Sequence, residues 1–151
     1  MRVLIAGAGP AGSRLASKLS LSGLNVTLAE TLESPFQNPF SSAVLPESSF
    51  NELDISHSVV SSTWKGWQVF DPSGLAHKWS SQKNLGVVLD FGSLREFLWD
   101  EARRTGVDLK LGTRVMKIHS KENSVVAILQ RKDKTLLREE FSWVFNLGSI
   151  T

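Results

Sequence analysis

Residues Val3–Ala16 read VLIAGAGPAGSRLA. The apolar run Val3-Leu4-Ile5-Ala6 meets Gly7, Gly9 and Gly12, and Leu15, Ala16, Leu19 and Leu21 continue at helical spacing. This is G-x-G-x-x-G in the setting that gives the motif meaning, a strand, a tight turn and a helix. The three glycines play different parts. Gly7 permits the sharp turn, Gly9 lets the backbone approach a pyrophosphate, and Gly12 lets the helix pack close to the strand. The helix N-terminus, with Pro10 and Ala11 in its first turn, would offer unpaired N–H groups and a positive dipole end to phosphates.

Working outward, Gly23 ends the helix and Asn25–Ala29 reads as a second parallel strand, with Glu30 at its C-terminal end. An acid there can accept hydrogen bonds from a ribose hydroxyl. It disfavours a 2′-phosphate, so FAD or NAD is favoured over NADP. The alternative is a βαβ unit that uses its glycines for turns alone.

The 151 residues allow one domain with a sizeable core. A net charge of +2 with no long basic run argues against nucleic acid as a partner. There are no cysteines, which removes disulfides, thiolate metal sites and a cysteine nucleophile, and three scattered histidines suggest no metal cluster. The N-terminal apolar run is broken by Gly7, Gly9 and Pro10, too short for a signal peptide, and no stretch approaches the length of a transmembrane helix. The expectation is a cytoplasmic protein without a transmembrane segment.

From Ser34 the chain turns to Ser, Pro, Asn and Phe. Pro35, Pro39 and Pro46 forbid a long helix, and Phe36, Phe40 and Phe50 are too apolar for a linker. Two readings stand: a loop whose phenylalanines plug the core, or one in which Ser41-Ser42-Ala43 passes beside a cofactor ring. Ser62–Phe70 reads as a strand, Asp71-Pro72-Ser73-Gly74 as a turn, and Leu75–Trp79 as the return strand of a hairpin. Leu85–Asp90 is a further strand. Ser93–Thr105 is a helix, with Ser93 as N-cap, Glu96 completing a capping box and Gly106 as the C′ residue. Val107–Leu111 follows as a strand. Arg114–His119, Val125–Leu129 and Thr135–Leu137 form a β meander, and Trp143-Val144-Phe145 reads as a buried strand that ends at Asn146-Leu147-Gly148-Ser149.

VLIAGAGPAGSRLA with Glu30 resembles the FAD fingerprint of the glutathione-reductase-type fold. Leu85–Ile118 is similar to the strand–helix–strand segment of the geranylgeranyl reductase, lycopene cyclase and aromatic hydroxylase group. Trp64–Asp90 resembles that group's inserted hairpin, and Trp143–Ser149 its "DATG" strand end. The resemblance implies an α/β fold: a Rossmann-like βαβ FAD-binding domain over 1–151, with a β-hairpin insertion at 58–90 and a β meander, incomplete at its C-terminus. Gly7, Gly9, Pro10, Ala11 and Gly12 would then contact the FAD pyrophosphate, and Glu30 the adenosine ribose. Val115 would sit by the adenine through its backbone, and Arg95 lies in the helix that flanks the pyrophosphate. A surface salt bridge is the other reading of Arg95. The chain departs from the group at Phe91, where an Arg is usual, and at Asn146, which replaces Asp.

No catalytic residue is assigned: there is no G-x-S-x-G elbow, and Asp90, Asp100, Glu139 and Glu140 read as solvated charges. In such flavoproteins the cofactor carries the redox chemistry. Trp64, Trp67 and Trp79 share the expected hairpin; core packing is the default for them and a stacking platform the alternative. The implied function is an FAD-binding oxidoreductase, or its N-terminal portion, acting on an apolar, aromatic or isoprenoid small molecule, with a second chain completing the flavin site. The alternative is a truncated, non-catalytic remnant that binds a nucleotide or a partner. NAD in the same βαβ unit is a third reading.

Overall fold

The run Val3–Ala6 is buried throughout and forms the middle of a parallel sheet, as a continuous apolar strand should. The computed structural model describes residues 1–41 and 43–148. In chain order the elements are β1 (Arg2–Ala6), α1 (Pro10–Leu21), β2 (Asn25–Ala29), β3 (Val44–Pro46), α2 (Glu47–Glu52) and a 3-10 turn (His57–Val59). Next come β4 (Val60–Trp64), β5 (Gly66–Phe70), β6 (Ala76–Ser80), β7 (Gly86–Leu89) and α3 (Phe91–Arg104). The series ends with β8 (Asp108–Lys110), β9 (Thr113–Ser120), β10 (Val125–Arg131), β11 (Leu136–Phe141) and β12 (Trp143–Asn146). The chain divides into two compact units, Met1–Gln37 with Arg95–Thr151, and Asn38–Leu94, with the boundary inside α3.

In the first unit four parallel strands lie in the order β12-β1-β2-β8. Side chains alternate across β1, so its two faces build two cores. Val3 and Ile5 pack with Ala16, Val26, Leu28, Trp99 and Ala102 under the helices. Leu4 and Ala6 pack with Val115, Ala127, Leu129 and Phe141 of the antiparallel meander β11-β10-β9. The first unit is thus three layers, helices, parallel sheet and meander, and the α/β expectation holds.

Small residues bring α1 close to the sheet: Gly12, Ser13, Ala16 and Ser17 are its buried face. A Cβ on Gly12 would overlap the Gly7 carbonyl, which is the packing role the motif assigns to that glycine. Arg14 of α1 pairs with Glu101 of α3 at 2.6 Å. The C-terminus of α3 is closed by a Schellman arrangement: Gly106 has φ +88°, its N–H donates to the Arg103 carbonyl (3.0 Å), and the Val107 N–H donates to that of Ala102 (3.0 Å).

The N-terminus of α3 corrects the expected cap. The helix starts at Phe91, and it is Asp90 whose Oδ1 accepts from the Ser93 N–H at 2.7 Å. That bond and the Ser93 hydroxyl hold the Asp90 carboxyl below its usual range. Ser93 is already inside the first turn.

The second unit differs from the expected single hairpin. The stretch Ser62–Phe70 breaks at Lys65. β4 pairs with β7 in a sheet ordered β3-β7-β4, and only β5 and β6 form the hairpin. Gly86 of β7 explains the break: a Cβ there would overlap the Leu45 carbonyl and the Trp64 indole, so the Trp64 backbone is committed to β7 although its ring still stacks on Trp67 of β5. The Pro-rich stretch contains β3 and α2, and of its phenylalanines Phe50 is buried whereas Phe40 is 93 % exposed. The core-plugging reading therefore holds for Phe50 alone.

Trp143–Phe145 is a strand but not a buried one. β12 is the sheet's outer strand, with β1 its neighbour among the described residues, and Trp143 is 61 % exposed. β11 also runs further than expected, through Glu139 and Glu140 to Phe141. Their alternation suits a strand with one wet face, and Glu139 takes a bridge from Arg2 (2.8 Å) and one from Lys110 (2.7 Å).

Candidate nucleotide-binding site

β1 is followed on one side by β2 and flanked on the other by β12, so the chain switches direction across the sheet at β1. A crevice at the carboxyl ends of strands at such a switch is where ligands bind in open α/β sheets. A cavity of about 240 Å³ lies there, with Gly7, Gly9, Glu30, Thr113 and Val115 in its walls.

The glycine turn is held from several sides. Gly7 has φ +102°, open to glycine at low cost, and its N–H donates to the Ala29 carbonyl at 2.8 Å. A Cβ there would lie 3.0 Å from the backbone at Leu147 and Gly148, the strand end that the sequence likens to "DATG". The Ala8 carbonyl accepts from the Trp99 indole N–H at 2.7 Å and from the Ser13 hydroxyl at 3.1 Å. The Ala8 N–H donates to Glu30 Oε2 at 2.8 Å.

The α1 N-terminus beyond this turn has no side-chain cap and no acid in its first turn. Its N-cap, Gly9, has extended backbone, and a Cβ built on it meets nothing within 4 Å. Pro10 at N1 lacks an N–H to leave unpaired. The N–H groups of Ala11 and Gly12 are among the first-turn donors that an α-helix cannot satisfy internally. A free helix dipole, open space over Gly9 and a carboxylate in the same cavity wall together suit an adenosine diphosphate, whose phosphates are anionic and whose ribose hydroxyls are donors.

Glu30 is fixed in orientation. Its Oε1 accepts from the Leu32 N–H (2.9 Å) and the Thr31 hydroxyl (3.0 Å), and its Oε2 from Ala8. Oε2 thus retains acceptor capacity for a hydroxyl. The backbone beneath is anchored by Thr113, whose N–H donates to the Glu30 carbonyl at 2.7 Å.

Arg95 is a buried residue rather than a surface charge. It is 4 % exposed, and its Nη1 donates to the Gln37 carbonyl at 2.8 Å. Burial pulls its guanidinium below its ordinary value, opposed by the Glu30 carboxylate. Its place on the inward side of α3 explains the difference: a charge at an amphipathic helix's boundary is assigned to solvent by default, and no local pattern announces that a main-chain carbonyl waits for it.

Among the expected site residues, the structure gathers Gly7, Gly9, Glu30 and Val115 around one cavity, with Pro10, Ala11 and Gly12 in the adjoining helix turn. Ser41 belongs to the second unit, where its hydroxyl accepts from the Ala43 N–H at 3.3 Å. Ser42 lies outside the described residues, as does Ser149. Sequence reasoning misses Trp99 and Thr113 as supports of the site. Trp99 falls at core spacing along α3, so nothing local separates a packing indole from one that holds a loop carbonyl. Among the described residues, no three His, Asp or Glu side chains gather as metal ligands, and no helix is long and apolar enough to cross a membrane.

No family model matches the chain. A digeranylgeranylglycerophospholipid reductase from Haloferax volcanii is 29 % identical over 135 residues, 87 % of this chain but 32 % of that relative. A geranylgeranyl bacteriochlorophyll reductase-like protein from Thermoplasma acidophilum superposes with a TM-score of 0.84 at 21 % identity, over 96 % of this chain and 38 % of its own. The FAD-dependent myxobacterial chondrochloren halogenase CndH gives 0.76 at 15 % identity, over 98 % and 37 %. The chain spans about a third of the length of the curated relative it matches. Over that portion it has the α/β fold shared by geranylgeranyl reductase-like and FAD-dependent halogenase proteins.

Proposed function

We propose that the chain binds the adenosine diphosphate half of FAD and forms part of an oxidoreductase that acts on an apolar isoprenoid or aromatic small molecule. The observation that supports this most directly is the uncapped α1 N-terminus opening, at Gly9, beside the Glu30 carboxylate. In this reading the first turn of α1 binds the pyrophosphate, Oε2 of Glu30 accepts from the ribose, and the backbone at Val115 lines the adenine. Arg95 supplies positive charge at the pyrophosphate end. When bound, the flavin supplies the redox chemistry; the residues here bind and orient it. The substrate class comes from the Haloferax relative, named as a lipid reductase, and the cofactor from the FAD-dependent halogenase.

The visible spectrum of purified protein, with and without added FAD, tests the reading. Flavin bands retained through gel filtration are expected; a colourless protein that takes up NAD and not FAD overturns it. Gly9→Val fills the open space with little effect on folding and is expected to cut FAD affinity about 100-fold, near 3 kcal/mol. Unchanged affinity removes the pyrophosphate assignment.

A second part of the reading rests on a different observation. An apolar groove of about 320 Å³ beside β12 is lined by Met1, Val3, Leu19, Leu24, Trp143 and Phe145. We propose that a second chain, the one that would complete the flavin site, packs on this groove. Fluorescence quenching of Trp143 by that second chain, lost on Phe145→Asp, is the measurement that checks it.

A further inference from the structure

Arg95 is a cation on the inner side of α3, 4 % exposed. Removing a guanidinium from water is costly, and an apolar side chain of similar length would pack on that side of an amphipathic helix without the cost. The stability of the fold is therefore a poor reason for an arginine at this position. What its hydrogen bond holds is a better one.

Arg95 Nη1 donates to the Gln37 carbonyl at 2.8 Å, at the far end of the strap 31–37 that leaves β2. Glu30, the strap and Arg95 belong to the same compact unit. Near β2 the strap is tied by the Gly112 N–H, which donates to the Leu32 carbonyl at 3.1 Å. Its outer part closes on Gln37: the Glu33 N–H donates to Gln37 Oε1 (3.1 Å), and the Gln37 N–H donates to the Ser34 carbonyl (3.2 Å). The Lys132–Glu33 pair, 2.6 Å apart, is open to water on both sides and adds little. Arg95 fastens the closed end of the strap to a buried helix face.

The strap bears on the nucleotide site in two ways. Glu30 Oε1 accepts from the Leu32 N–H (2.9 Å) and the Thr31 hydroxyl (3.0 Å), so the strap sets how the carboxylate is turned. Thr31 lines both the nucleotide cavity and an adjoining cavity of about 380 Å³, whose walls include Glu33 and Gln37. The strap is thus the wall between the two. The Glu30 charge also favours the charged form of Arg95 against the effect of burial, so the two groups interact directly as well as through the chain.

We infer that Arg95 is a positioning residue for adenosine: through the Gln37 carbonyl it holds the strap 31–37, and the strap presents Glu30 to the ribose hydroxyls. This role is additional to the charge Arg95 lends to the pyrophosphate end. It rests on the nucleotide reading above and adds the means by which the site prefers a ribose to a sugar without hydroxyls.

The test compares ADP with 2′,3′-dideoxyADP by titration calorimetry on the whole chain. The two ligands carry the same phosphates, so a charge acting on phosphate alone affects both equally. The chain should bind ADP about tenfold more tightly than the dideoxy ligand, the worth of one hydrogen bond to a charged group. Arg95→Met should lower that preference to about twofold or less, and should lower it no further when Glu30→Gln is already present. Gln37→Ala, at an exposed position, should lower it about threefold and tests the same strap if Arg95→Met does not fold. Amide hydrogen exchange at Leu32 and Glu33, faster in Arg95→Met, reads the strap without any nucleotide. A preference for ADP that survives Arg95→Met, or equal losses for both ligands, overturns the inference and leaves the nucleotide reading standing. Unchanged exchange at Leu32 and Glu33 overturns it as well. No binding of either ligand by the unsubstituted chain removes the nucleotide reading, and this inference with it.

Discussion

Trp99 and the pair Trp67–Trp79 put the same side chain to opposite uses. Trp99 is 1 % exposed, on a helix laid over a parallel sheet, and its indole N–H holds the carbonyl of the glycine turn. Trp67 and Trp79 lie on a two-stranded ribbon, more than half exposed, with their rings against each other. The number of layers decides the difference. Where helix, sheet and meander stack, a large ring is enclosed and its one polar atom must be satisfied, so it becomes a structural strut. Where a hairpin has no second layer, the ring stays at the surface and is available for recognition.

The contrast can be broken most strongly at the buried end. Gly12→Val places a side chain against the Gly7 carbonyl and should cost about 3 kcal/mol or prevent folding, read by denaturant midpoint. Full stability in that variant would mean that α1 does not sit on the glycine turn. Next in size is Trp99→Phe, which keeps a ring but leaves the buried Ala8 carbonyl with the Ser13 hydroxyl alone; about 2 kcal/mol should be lost, with weaker nucleotide binding.

A smaller effect is expected at Glu139, between these extremes in burial. Burial by itself raises its carboxyl, but hydrogen bonds from Lys110 and Arg2 and their charges outweigh that and hold it below the usual range. A carboxyl lowered on folding adds stability above its unfolded value, and that stability is lost as pH falls through the folded one. Glu139→Gln should therefore lose under about 1 kcal/mol at neutral pH and show a flatter acid limb in a pH series of thermal midpoints. An unchanged acid limb would remove Glu139 from the acid response. The least effect is expected at the hairpin, where Trp67→Ala and Trp79→Ala should couple by about 0.5–1 kcal/mol in a double-mutant cycle. A coupling near that of a core pair would show that the ribbon is enclosed after all.

Much of the first unit was legible because its signals are local. Gly7, Gly9 and Gly12 announce a turn and a close approach within six residues, and Gly106 announces a helix end. The site was legible to the same extent: Glu30 follows from the strand that ends at it. Thr113 and Trp99 were not legible, nor was the burial of Arg95, because each acts on a main-chain atom distant in sequence. Trp99 and the Ala8 carbonyl are 91 residues apart. The second unit misled for a related reason. Ser62–Phe70 alternates well enough for one strand, yet β4 finds its partner in β7 and β5 in β6, a choice made by Gly86 and the Trp64 ring packed over it.

The sequence by itself determined the βαβ start, a helix placed at 93–105 with its glycine stop at Gly106, the meander and the acid at the end of β2. These depend on propensity, periodicity and turn chemistry among near neighbours. Only the tertiary structure decided that Arg95 is buried, that Asp90 caps α3, that Trp143 is exposed on the outer strand, and that Trp99 supports the glycine turn while Trp67 and Trp79 face solvent. Each of those outcomes depends on whether a second layer covers the residue, and strand order and layer stacking are set by contacts that no short window of sequence contains.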